Sequence, residues 1–360
     1  MNRRLFLKSS AAAAAVQALP WGSALAAIEG WRGYEITTRV EISRPRGISR
    51  AWVPLPAVDD GNWQKVVGNA WKGNASRTEV MSDGKYGVSM LYAEWPAGTA
   101  APLIEVTSQV ATRDRAIDFA KPDSAFDLGK ADREFYTAPT DLIPTEGLVK
   151  KTALEIIKGA RTDVEKGRAI YEWIVENTFR DPKTRGCGIG DVNAMLETGN
   201  LGGKCADLNA LYVGLARSVG VPARDVYGIR VAPSEYGYKS LGTGSANVTK
   251  AQHCRAEFFA RGYGWVPVDP ADVRKVALEE PPGKMALGDP KVAAARKRLF
   301  GSWEMNWLAY NMGHDVKLPN SSAPKIPFLM YTNAETGGDL LDQLDPDSLG
   351  YSISSWDIKT

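Results

Sequence analysis

Gly202-Gly203-Lys204-Cys205-Ala206-Asp207 opens the stretch that decides the fold, because an unbroken helical period begins directly behind it. Leu208, Leu211, Tyr212, Leu215 and Val219 recur at helical spacing and Gly220 closes the run, which predicts a helix with one buried face. Cys205 falls at the start of that helix. There the positive end of the helix dipole and the unsatisfied N–H groups stabilise a thiolate, the reactive form of cysteine. The same N–H groups could receive the oxyanion of a tetrahedral intermediate. Gly202-Gly203 allows close backbone approach, and Lys204 adds a nearby positive charge.

A nucleophilic thiol needs a base, and the chain has two histidines. His253 begins a strand-like segment running to Ala260, which Arg261-Gly262 turns into a second segment, Gly264 to Asp269. Asp269, at the end of that hairpin, could lie beside His253 and fix its tautomer. His314 sits in a loop-like Gly-His-Asp stretch and is the weaker candidate. With two histidines and three cysteines in no CxxC or HxxxH spacing, no metal site is expected, and nothing in the sequence calls for a cofactor.

Gly203-Lys204-Cys205-Ala206-Asp207, followed by Leu211, Arg217 and Gly220-Val221-Pro222-Ala223-Arg224, resembles the core motif of bacterial transglutaminase-like domains. His253 with Glu257, then Gly264-Trp265-Val266-Pro267-Val268-Asp269-Pro270, resembles the family's second and third catalytic blocks in the same order. The resemblance spans roughly residues 145 to 275. It implies an α+β, papain-like core with Cys205 as nucleophile, His253 as general acid and base, and Asp269 as orienter. Many members carry an aromatic residue two positions after the histidine; here Arg255 stands there, which implies a more polar wall to the cleft.

Upstream, Tyr34, Ile36, Val40 and Ile42 alternate with Glu35, Thr37, Arg39 and Glu41, the pattern of a half-buried strand. Further strand segments are expected at Arg50 to Leu55, Tyr86 to Ala93 and Leu103 to Ala111, so residues 28–135 read as an antiparallel β-sandwich. Trp52-Val53-Pro54-Leu55-Pro56 resembles the β-rich domain that precedes some bacterial members. Residues 136–280 then form the transglutaminase-like core, with a helix through Leu148, Ala153 and Ile157 and another entered by the capping pair Thr162 and Glu165. Residues 281–360 are expected to pack on that core, with a helix at Val292 to Leu299 and strands at Phe328 to Tyr331 and Tyr351 to Ile353.

The first 27 residues read as an address. A basic start with Arg3-Arg4, an apolar run from Ala11 to Leu19, and small residues around Ala24 to Ala27 resemble a twin-arginine export signal cleaved near Ala26 or Ala27, which places the protein in the periplasm. Losing Arg3, Arg4 and Lys8 from a chain of net charge +2 leaves a nearly neutral protein. No basic cluster with interleaved aromatics suggests nucleic acid, and no later apolar run is long enough to span a membrane. The three cysteines, an odd count in an oxidising compartment, suggest that Cys187 pairs with Cys254 and leaves Cys205 free. Cys254, next to His253 on a strand, is expected to face away from the site. The expected activity is cysteine-dependent acyl transfer on protein or peptide substrates, most simply as a peptidase. Transglutaminase or deamidase chemistry, or a binding module that keeps the fold, are the alternatives.

Overall fold

In the computed structural model, which describes residues 30–358, β1 (Arg32–Glu41) keeps the alternation read from the sequence, with Tyr34, Ile36 and Val40 buried. The expected export segment lies outside the described residues. β2 (Ser49–Leu55), β3 (Gln64–Gly73), β4 (Arg77–Ser82), β5 (Ser89–Trp95), β6 (Leu103–Thr112) and the short β7 (Arg115–Ala116) follow. β3 and β4 had no counterpart among the expected strands. Each is the edge of its sheet, so few of its side chains are fully buried and the two-residue period is blurred.

Helices then take over: α1 (Lys130–Thr137), α2 (Leu148–Ile156) and α3 (Asp163–Asn177). Thr162 accepts from the Glu165 amide at 3.2 Å while Glu165 accepts from the Thr162 amide at 3.0 Å, so the capping box forms as expected. After β8 (Phe179–Arg180), α4 (Val192–Thr198) and β9 (Gly202–Gly203) comes α5 (Cys205–Ser218), every residue of which is buried. It is packed all round because α2, α3 and the strands β10 (Ala223–Arg230) and β11 (Gln252–Ala260) all meet it. β12 (Gly264–Val268) completes the hairpin with β11, and α6 (Pro270–Glu279) and α7 (Pro290–Arg298) follow.

The last 60 residues are shared between both halves of the molecule. After the short β13 (Ser302–Trp303), β14 (Trp307–Asn311) adds to the sheet under α5, in the order β12-β11-β10-β14. β15 (Asn333–Thr336) and β16 (Asp339–Leu340) extend one sandwich sheet, β16-β15-β2-β5-β4. β17 (Gly350–Ile358) pairs with β1 along its length and closes the other, β17-β1-β6-β3. The two sandwich sheets face each other across Val40, Val53, Leu91, Trp95, Val106 and Ala334. All pairings within these three sheets are antiparallel, so the fold is α+β, a sandwich beside a helix-covered sheet. Phe328 to Tyr331, expected as a strand, is instead irregular and buried. Its apolar run serves as packing, with Phe328 stacked on Tyr227 at 4.5 Å between ring centres.

Candidate active site

Cys205 occupies the first position of α5, as the helical period requires, and is 4% exposed. The Asp207 carboxylate folds back over the preceding loop and accepts from the amides of Lys204 at 3.0 Å, Ile189 at 3.1 Å and Gly190 at 3.0 Å. Gly203 and Gly188 make room for it, since a Cβ at either would fall within 2.5 Å of its side chain. Asp207 is therefore a clamp on the helix start. Ala206 donates its amide to the Cys187 carbonyl at 2.9 Å, while among the described residues nothing accepts from the Cys205 amide.

β11 brings His253 to the same point, also 4% exposed. Asp269 follows directly behind β12 and caps α6, using its two oxygens separately. Oδ1 accepts from the Asp272 amide at 3.0 Å, and Oδ2 accepts from His253 Nε2 at 2.7 Å. That leaves Nδ1 of the imidazole for the thiol. Proline at the first helical position and an acid at the third mark this helix start, a signal in Asp269-Pro270-Ala271-Asp272 that reading Asp269 as a strand end overlooked.

The structure adds a buried charge network that the sequence did not disclose. Asp272 lies 3.4 Å from His253 Nε2 and receives two bonds from Arg230, at 2.6 and 2.7 Å. Arg255, expected to make the wall more polar, is wholly buried 3.7 Å from Asp269 with its guanidinium over the Trp307 ring. Burial and then the Arg230 charge pull the His253 pKa down, but Asp272 and Asp269 overcome both and carry it up to about 10. The Cys205 thiol moves the other way, well below its ordinary value. Hydrogen bonds from Cys187 and then Cys254 stabilise the thiolate against burial, and His253 contributes further. Cysteine thiolate and imidazolium are thus favoured together.

The cysteines correct two expectations. All three are buried and free, so Cys187 and Cys254 do not form the expected disulfide. Nor is Cys254 remote from the nucleophile: both are buried in the same core, and Cys254 is among the groups that lower the Cys205 pKa. Cys187 and Cys254 are held as neutral thiols, with pKa values well above ordinary, Cys187 chiefly by its hydrogen bond to Cys205 and Cys254 chiefly by burial. His314 lies apart from this group, buried against Tyr227.

Cys187, Cys205 and His253 line a cleft of about 610 Å³ together with Tyr331, Leu344 and Tyr351. Gln252 also lines it, and its side-chain Nε2 is buried without a hydrogen-bond partner. His253, Asp269 and Asp272 place ligand atoms within 4.8 Å of one another, as a metal site would. Here, however, Arg230 and Arg255 already supply positive charge to the two carboxylates.

The chain is 36% identical over 340 residues to an uncharacterised protein of Haemophilus influenzae, covering 89% of this chain and 90% of that one. Its fold is shared with a candidate cysteine protease from Cytophaga hutchinsonii, at a TM-score of 0.55 and 14% identity over 92% of each chain. The periplasmic domain of TgpA from Pseudomonas aeruginosa is more distant, with a TM-score of 0.34 and 15% identity over 67% of this chain and 88% of that one. Residues 150–270, the segment carrying Cys205, His253 and Asp269, match the transglutaminase-like superfamily, to which the chain belongs.

Proposed function

We propose that this protein is an exported cysteine peptidase in which Cys205, His253 and Asp269 form the catalytic triad. The convergence of Cys205 at a helix start with His253, itself held by Asp269, on one cleft carries the reading, and the opposed pKa shifts of Cys205 and His253 support it by favouring a thiolate beside a proton donor at neutral pH. The thiolate attacks the substrate carbonyl carbon, and the His253 imidazolium gives its proton to the departing amine as the C–N bond breaks. The acyl group remains as a thioester on Cys205. Water, deprotonated by the now neutral His253, attacks the thioester and releases the acid and the thiolate. Asp269 holds Nε2–H throughout, so that Nδ1 does the proton transfer.

The Cys205 amide is the first oxyanion donor. Gln252 is the second: it lines the cleft directly before His253, and its buried Nε2 has no hydrogen-bond partner. Water is the acceptor this polar, open-mouthed cleft favours. The Arg3-Arg4 segment supports export, and among the described residues no helix is long and apolar enough to cross a membrane.

Intact mass spectrometry after exposure to a thiol-directed peptide electrophile tests the triad. Rapid single labelling should persist at pH 5 to 6, where an ordinary thiol of pKa about 8.5 is almost wholly protonated. It should vanish in Cys205→Ala and slow at least about a hundredfold in His253→Ala. Gln252→Ala should label normally but hydrolyse peptides about 100-fold more slowly. Slow labelling, indifferent to His253 and falling with pH like a free thiol, would favour a binding module that keeps only the fold.

A further inference from the structure

Six cations line the cleft and no carboxylate does: Arg180, Arg185, Lys204, Arg230, Lys250 and Lys275. They come from six separate places between residues 180 and 275, and only folding gathers them. Acids behind the lining neutralise part of this charge. Asp272 takes Arg230, Asp342 takes Arg185, and the single carboxylate of Glu279 is shared between Arg180 and Lys275. Lys204 and Lys250 have no ion-pair partner among the described residues. Six positive charges therefore face three negative ones.

The catalytic group does not absorb that surplus. The Cys205 thiolate and Asp269 are balanced by His253 and Arg255. Lys275 feels the imbalance, since burial and then the Arg180 charge lower its pKa. The two unpaired lysines bracket the chemistry. Lys204 immediately precedes the nucleophile, and Lys250 lies three residues before His253.

A cleft lined by charges of one sign concentrates ligands of the other. Because the cations are spread along the lining, they suit a chain bearing several carboxylates better than one compact anion. Tyr331, Leu344, Leu349 and Tyr351 in the same lining offer apolar contact to the same chain. From this, and resting on the acyl-transfer reading of Cys205, we propose that the substrate is an acidic peptide carrying Asp or Glu side chains close to the carbonyl that is attacked.

Fluorescence anisotropy on Cys205→Ala separates binding from chemistry. The probes are a fluorescein-labelled octapeptide with Glu on both sides of a central Ala-Ala pair, and its Gln twin. At 50 mM salt the Glu peptide should bind at least about tenfold tighter, and at 1 M salt the difference should shrink towards about twofold. Lys204→Gln and Lys250→Gln should each remove about threefold of the preference without weakening the Gln peptide. Equal affinity for the two peptides at low salt overturns the proposal. Wild-type enzyme that hydrolyses both equally well overturns it too, while leaving the triad standing. A Glu preference in Cys205→Ala, with no acylation in wild type, upholds the charge selectivity and refutes the peptidase.

Discussion

Two groups of buried charge share one face of β11, and they are built to opposite ends. At one end Glu257, 1% exposed, receives Arg115 and Arg224, each at 2.5 Å and each on its own carboxylate oxygen. Burial works against its ionisation, yet the Arg224 and Arg115 charges hold it below the ordinary carboxylate range. Two and four residues away, Arg255 and His253 meet the paired carboxylates of Asp269 and Asp272 with looser, competing contacts. Burial pulls Arg255 down to about 10, and its Nε has no hydrogen-bond partner. Asp272 is held well below its ordinary value and Asp269 is raised, in both cases against or through burial first and then by neighbouring charge. A saturated cluster fixes structure. A cluster whose members push each other's pKa values apart leaves a proton that can be moved.

The sharpest test of that distinction is Asp269→Asn. It keeps the shape but offers His253 an amide in place of a charge, so the wrong tautomer becomes available and the imidazolium loses support. Acylation measured by stopped-flow labelling should fall about 10³- to 10⁴-fold. The upper limb of its pH profile, set by His253 near 10, should move downward. Asp272→Asn, whose target is held mainly by Arg230, should cost far less; equal losses would mean that the two acids orient the imidazole jointly.

Glu257→Gln should do the reverse. It leaves two guanidiniums half-buried around a neutral amide, which costs on the order of 3 to 5 kcal/mol of stability in urea titration. The folded fraction should still label at the wild-type rate. A variant that folds normally but labels slowly would erase the distinction between the two ends.

What the sequence disclosed and what it hid divide along the same line. Cys205, His253 and Asp269 were legible because each sits at the end of an element whose period is strong: the apolar face of α5 and the two arms of the β11-β12 hairpin. Arg230 was hidden because its meaning depends on Asp272, 42 residues away. Cys187 and Gln252 sit where a loop and a strand start converge on the nucleophile, and no local period marks that convergence. The basic cleft was likewise invisible, since its six cations never cluster in sequence. The pairing of β1 with β17 joins Gly33 to Ile358, a closure that no pattern within either strand specifies.

A third buried charge lies on the opposite face of the same strand pair and should give the smallest effect. Asp225 is wholly buried with no hydrogen bond to either oxygen, 3.5 Å from the His314 ring, and the Arg217 charge favours its ionised form. Burial first, with the Cys205 thiolate adding to it, raises its pKa to about 7, against about 3.9 in an unfolded chain. His314 cannot compensate, because burial and then Arg217 keep it neutral. A carboxyl raised on folding binds its proton more tightly in the native state, so its contribution to stability is complete below about pH 4 and is lost as pH rises to about 7. Asp225→Asn removes that dependence. Relative to wild type it should gain about 3 kcal/mol between pH 4 and pH 7 in urea titration and nothing further above pH 8. A gain that is the same at every pH would mean that Asp225 is ionised throughout and that Arg217 alone neutralises it, making this cluster a second saturated one like Glu257.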